Sequence, residues 1–351
     1  NATNFTSTVK RSLPHSLYGM AYDAGKICGV VSLYWFVSIS LVFANKWLLS
    51  NSDILFDAPL FITWFQCLCT VALCGSLSYA SNLYPTRLSF TAIDFSFTTA
   101  LKILPLTVVF FAMIVCNNFC LKYLEVSFYF VARSLTTIFN VILTYVVLKK
   151  TTTLKALMCC GVIILGYIAS VLEENGMGSL SVSGLIFGVL ASFAVALFSI
   201  MTSKGLAHVD DNIWKLTFYN NLNSSLLFII GILLTAEFKE FQYLPPFFSL
   251  MSLLFWGTML VSGVFGFAIS YVTAWQIQVT SPLTHNISGT AKAAAQTLLA
   301  ALIALDFKSP VWWIGNCLVV IGSMAYAYVR HQLSVNAEQT NADDLKKVTT
   351  S

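Results

Sequence analysis

The sequence predicts an all-α membrane protein whose ten transmembrane helices form two inverted five-helix repeats. Three observations carry this reading. The chain of 351 residues is 57% hydrophobic and only 10% charged, with a mean hydropathy of +0.78, whereas soluble domains are closer to a quarter charged. Apolar runs of about 20 residues, the length needed to cross roughly 30 Å of hydrocarbon as a helix, recur between short polar or charged breaks. Finally, Arg133 and Lys292, 159 positions apart, sit at matching places inside two of these runs, and each is followed sixteen residues later by a lysine at the run's end, Lys149 and Lys308.

Taken in order, the polar segment 1–26 lacks a continuous apolar core, so no cleavable signal is expected there and the first span should act as its own insertion signal. The first repeat, 27–172, comprises Ile27–Leu49, Asp57–Tyr79, Thr99–Leu121, Val126–Leu148 and Thr153–Leu172. The second, 182–330, comprises Val182–Lys204, Asn212–Thr235, Leu250–Ala274, Ser281–Leu305 and Pro310–Arg330. A backbone in lipid must satisfy its own hydrogen bonds, so each run is read as a helix. Residues 331–351, rich in Asn, Asp, Lys, Thr and Ser, read as a mobile cytosolic tail.

A second marker supports the repeat: Ser38–Lys46 and Ala196–Lys204 both end an apolar helix on a lysine, at an offset of 158. Five is an odd number of crossings, so the halves insert with opposite orientation, an architecture that holds a substrate near the membrane midplane. Lys and Arg near the span ends favour both termini in the cytosol, because only Lys46, Lys122, Lys239 and Lys308 then fall on the far side. The net charge of +4 restates this topology and gives no indication of nucleic acid binding. The nine cysteines lie within or at the edges of apolar runs, without paired spacing or a histidine cluster, and read as packing residues. Sequons at Asn1 and Asn4 face the cytosol and those at Asn223 and Asn286 lie in spans, so none is expected to be glycosylated.

Polar residues surround both intramembrane cations. Tyr129, Arg133, Thr136, Thr137, Asn140 and Thr144 form one stripe on the fourth span, and His285, Ser288, Gly289, Lys292 and Gln296 form another on the ninth. A charge near the bilayer centre costs at least a few kcal/mol and normally faces a cavity or a partner. No Asp or Glu lies in the interior of any predicted span, so an anionic substrate is the expected counter-ion. A diphosphate would suit the planar fork of an arginine and the mobile point charge of a lysine. Arg133 is only two turns from its helix start, so snorkelling to the interface is the competing account for it. The small residues beside Lys292, Ala291 and Ala293 to Ala295, suit close helix packing. On the seventh span, Phe218-Tyr219-Asn220-Asn221 places amides in an apolar setting, where they could read a purine edge or bond between helices.

That tetrapeptide resembles the FYNN motif of GDP-sugar carriers in the nucleotide-sugar transporter family of the drug/metabolite transporter superfamily. The stretches VSFYFVARSLTTIFN (Val126–Asn140), WKLTFYNN (Trp214–Asn221), FGFAISY (Phe265–Tyr271) and TSPLTHNISGTAKAAAQ (Thr280–Gln296) resemble the GDP-fucose group in particular. The resemblance implies ten helices, a Golgi-type membrane, with the endoplasmic reticulum also compatible, and exchange of cytosolic GDP-fucose for lumenal GMP. It assigns base and ribose recognition to Tyr219, Asn220 and Asn221, and diphosphate and sugar contacts to Gly289, Thr290 and Lys292. GDP-mannose carriers have Gly-Ala-Leu-Asn-Lys on the ninth span where this chain has Gly289-Thr290-Ala291-Lys292, and an expected Glu-Glu pair is replaced by Leu305-Asp306-Phe307. A GDP-mannose or other nucleotide-sugar antiporter of the same fold is the alternative, since physics alone does not separate the two hexoses. No cofactor or metal is implied, and a homodimer is compatible with the small-residue content. An amine exporter would want a membrane-buried carboxylate, and an enzyme of sugar phosphates would want a metal or acid–base cluster; the sequence offers neither.

Overall fold

A computed structural model describes residues 15–50, 56–83, 93, 95–123, 126–149, 151–174, 182–243, 250–303 and 309–349, with side chains described for a subset of these. Among them are ten α-helices: α1 (His15–Ser50), α2 (Pro59–Leu83), α3 (Phe97–Tyr123), α4 (Val126–Leu148), α5 (Leu154–Glu174), α6 (Val182–Ala207), α7 (Ile213–Thr235), α8 (Leu250–Val279), α9 (Pro282–Ile303) and α10 (Pro310–Thr349). Each predicted span coincides with one helix. Two helices outrun their spans. The first starts at His15, inside the segment read as a polar leader, and α10 continues to Thr349 where a mobile tail was expected. Residues 331–349 contain neither glycine nor proline, so nothing in the sequence interrupts that last helix.

Seven helices carry, within the described residues, a stretch long and apolar enough to cross a membrane, and Leu135–Leu148 of α4 and Leu154–Gly166 of α5 are shorter apolar stretches. Large apolar side chains such as Phe36, Phe43, Leu165, Leu234, Leu253 and Met324 point outward and are exposed. In water such a surface would drive association; against lipid tails it is at no disadvantage.

Helix starts are written locally. Ser281 and Ser309 accept hydrogen bonds from the amides of Thr284 (3.1 Å) and Trp312 (3.2 Å), and each is followed by a proline at the first helical position. Asn212 caps α7 through the amide of Lys215 (3.1 Å). Helix α2 also begins on proline, but the residue before it is Ala58, which has no capping side chain. Its cap comes from 177 residues away: the Glu237 carboxylate, in the short 3-10 helix Glu237–Tyr243, accepts from the amides of Leu60 (3.0 Å) and Phe61 (3.0 Å). Burial pushes the Glu237 carboxyl above its ordinary pKa, and the two amides pull it back toward the charged form.

Packing follows the repeat. Helix α3 packs on α6 and α1 on α8; α2 packs on α8 and α3 on α7; α4 packs on α5 and α9 on α10; and the pairs α2–α7, α4–α9 and α5–α10 join equivalent helices. A shift of five helices turns each of these contacts into another, or into itself. One departure stands out: α6 packs on both α4 and α9, while its counterpart α1 meets α9 sparingly among the described residues. Two apolar clusters lie toward opposite ends of the bundle. Phe56, Leu60, Phe61, Phe228 and Phe255 join α2, α7 and α8 at one end, and Ile103, Leu206, Ile213 and Leu216 join α3, α6 and α7 at the other.

The α5–α10 seam depends on a glycine. A Cβ at Gly166 would lie 2.7 Å from the carbonyl oxygen of Gly315, backbone that cannot swing aside. Gly166→Ala should therefore separate the two helices and cost about 1–3 kcal/mol, read as a lower unfolding temperature in detergent. Gly161→Ala on the same helix, where a Cβ meets nothing within 4 Å, should not lower it.

Candidate functional site

Between the two apolar clusters lies a cavity of ≈ 340 Å³ lined by eight helices, all except α5 and α10. Among the described residues, no acidic one lines it. Its polar character comes from three groups of side chains that converge from different helices.

The first group is on α7. Spacing of three and four residues along that helix brings Leu216, Thr217, Asn220 and Asn221 to one face, and all four line the cavity. Asn220 Oδ1 accepts from Thr107 Oγ1 (3.2 Å), and Asn221 Nδ2 donates to the carbonyl of Thr217 (2.8 Å). Each amide is thereby held at one end and retains hydrogen-bonding capacity at the other. The Thr217 hydroxyl is buried without a hydrogen-bond partner. Tyr219, between them in sequence, lies on another face. It is 1% exposed, its hydroxyl accepts from the amide of Ser96 (2.8 Å), and its ring packs against Phe95 and Phe218. It therefore fixes the start of α3 against α7 rather than lining the cavity.

The second group joins α9 to α1. His285, Asn286, Gly289 and Thr290 line the cavity. His285 Nδ1 pairs with Gln276 Oε1 (2.8 Å), and its ring meets Tyr34 edge-on at 5.0 Å. Lys292 is half-buried, donates from Nζ to Ser38 Oγ, and lies 5.6 Å from the centre of the Tyr34 ring. Both of these α1 residues line the cavity, whereas Lys292 itself is not among the lining residues, so the ammonium stands against the wall that they form. Ser288 accepts from Trp35 Nε1 (3.1 Å) and serves this α1–α9 contact. Thr290 donates to the carbonyl of Ile287 (2.7 Å). A Cβ at Gly289 would meet only the Tyr34 hydroxyl, at 3.5 Å, so protein packing leaves room at that point.

The third group was not read from the sequence. Asn45 on α1 and Gln66 on α2 line the cavity, joined by a bond from Gln66 Nε2 to Asn45 Oδ1 (2.9 Å). The signal was present as a polar stripe on the first span, Tyr34, Ser38 and Asn45 at helical spacing, but it carries no charge to draw notice.

On α4 the predicted stripe divides. Thr136 lines the cavity with its hydroxyl buried and unpartnered. Asn140 is fully buried elsewhere: its Nδ2 donates to Ser199 Oγ (3.1 Å), which also accepts from Asn286 Nδ2 (2.8 Å), so this serine ties α4, α6 and α9 together. The side chains of Tyr129, Arg133 and Gln296 lie outside the described residues. The α4 backbone puts Arg133 one turn from Thr136.

The pattern of the Triose-phosphate Transporter family matches residues 26–327. A relative from Nematostella vectensis named GDP-fucose transporter 1 is 49% identical over 321 residues, covering 91% of this chain and 94% of its own. A Drosophila melanogaster protein named GDP-fucose transporter, Golgi, is 44% identical over 323 residues, covering 92% and 95%. One solved crystal structure superposes on 88% of this chain and 99% of its own with a TM-score of 0.60 at 14% identity, a likeness of fold alone. With a family pattern matched over nearly the whole chain and a relative at 49% identity, the chain belongs to the Triose-phosphate Transporter family, as a membrane transporter and not an enzyme.

Proposed function

We propose that this chain carries GDP-fucose across a Golgi membrane in exchange for GMP, by alternating access, with both termini in the cytosol. The observation that carries the reading is the pairing, in one cavity, of the α7 amides Asn220 and Asn221 with the Lys292 ammonium at the wall formed by Ser38 and Tyr34. Amides that donate and accept side by side suit a guanine edge, and a lysine held by neutral groups suits a diphosphate. The unpartnered hydroxyls of Thr136 and Thr217 supply further donors to a ligand in the cavity. Relatives named as GDP-fucose transporters, one of them with Golgi in its name, support the choice of hexose and membrane. In this reading Tyr129, Arg133 and Gln296 face the same ligand from α4 and α9, while Tyr219, Asn140 and Ser288 hold the helices that bear it.

Exchange follows from charge. An anionic nucleotide bound beside the Lys292 ammonium stabilises the charge near the midplane while the repeats reorient, and it does so in either direction. The unequal packing of α6 and α1 supports two interchangeable arrangements: the repeats share one set of contacts, and the one adopted by α6 against α4 and α9 is open to α1 in the opposite state.

Two outcomes are expected in proteoliposomes holding the purified protein. Labelled GDP-fucose should enter only when GMP is inside, while UDP-galactose and CMP-sialic acid do not enter; equal uptake of a non-guanine sugar would remove the α7 amides as base readers, and uptake of GDP-mannose in preference to GDP-fucose would reassign the hexose. Lys292→Ala should lower the exchange rate at least about tenfold, the scale of a lost charge-assisted hydrogen bond, with the unfolding temperature unchanged. Near-normal exchange by that variant would sink the phosphate assignment.

A further inference from the structure

The cavity has a second amide pole, and its place along the helices matches the far end of the substrate. On α3 the cavity wall runs from Leu106, beside the Thr107–Asn220 bond, to Asn117, about 15 Å further by helical rise. On the parallel helix α1 it runs through Tyr34, Ser38, Leu41 and Asn45, with Ser38 holding Lys292 and Asn45 about 10 Å beyond it. Asn117 thus lies beyond the α7 amides on α3, Asn45 beyond the cation on α1, and Gln66 is bonded to Asn45. Gln66 is 8% exposed and is fixed on both sides, donating from Nε2 to Asn45 Oδ1 (2.9 Å) and Ser262 Oγ (3.3 Å). Asn117 is likewise fixed by donation to the carbonyl of Met113 (2.8 Å). With those bonds made, Gln66 Oε1 and Asn117 Oδ1 are left to accept and Asn45 Nδ2 to donate. A mixed set of donors and acceptors fits hydroxyl groups, which do both; a phosphate would call for donors alone.

Resting on the transport reading above, we propose that Asn45 and Gln66 are the sugar-reading residues, binding the hexose hydroxyls while Lys292 takes the phosphates and Asn220 and Asn221 take the base. Leu41 and Ile114 flank this pole and give the sugar an apolar wall for a methyl group. Gly266 belongs to the same device: a Cβ there would lie 2.8 Å from Gln66 Cβ, so the absence of a side chain lets Gln66 occupy its position between α1 and α8.

The test compares two exchange rates of the full chain in proteoliposomes, labelled GDP-fucose against internal GMP and labelled GMP against internal GMP, since GMP has no hexose. Gln66→Met and Asn45→Ala should each lower the first rate relative to the second by about tenfold, the loss expected when one or two hydrogen bonds to a buried partner are removed. Gly266→Ala, which displaces Gln66 without removing its amide, should lower the same ratio. If both rates fall together in all three variants, the pole serves helix packing and the assignment fails; an unchanged ratio with wild-type rates overturns it equally. A wild-type protein that exchanges no GDP-fucose overturns the transport reading itself, an outcome separable from the other two because it appears without any substitution.

Discussion

An ammonium inside a hydrocarbon slab has to be met by something, and much of this molecule is organised around meeting the one on Lys292. Its hydrogen bond reaches across to Ser38, on the first helix of the other repeat, and its neighbour in space is the face of Tyr34. These are neutral groups, which lower the cost of the charge without cancelling it. The same two α1 residues line the cavity, so the charge is held close to the space that a ligand would occupy. A carboxylate in that position would have paired with the ammonium and made a worse receptor for an anion.

The polar groups around the cavity fall into two kinds that sequence position does not separate. Ser199 is a hub, accepting from Asn140 and Asn286 on two different helices while donating to the carbonyl of Ala196. It is buried, fully engaged and structural. Asn220 and Gln66 are buried to a similar degree, yet each holds one end fixed by a neighbour and turns the other toward open space. Fixing one end of an amide by its own protein removes the rotamer entropy a ligand would otherwise have to overcome.

Most of the fold was legible from the sequence because lipid imposes a single rule, length and apolarity, which seven of the ten helices meet within the described residues. The repeat was legible because charges are scarce enough in the spans for Arg133 and Lys292 to be matched. The candidate cavity was legible where a residue is unusual for its surroundings, as Asn220 and Asn221, which line it, are. It was not legible where helical phase decides: Tyr219 is adjacent to two cavity residues and faces the opposite way, and Asn140 shares the stripe of Thr136 yet is claimed by α6. Nor could it show Asn45 and Gln66, ordinary polar residues on separate spans that acquire meaning only when α1 and α2 are brought side by side.

The cap on α2 has a consequence for how the chain comes to be. The amides that open the second helix find their acceptor in Glu237, a residue of the second repeat that leaves the ribosome only after seven helices have been made. Until then the start of α2 is unfinished and must borrow water or lipid headgroups at the membrane surface. A first repeat made alone would therefore start its second helix without that cap, and supplying the second repeat in trans is what would restore it.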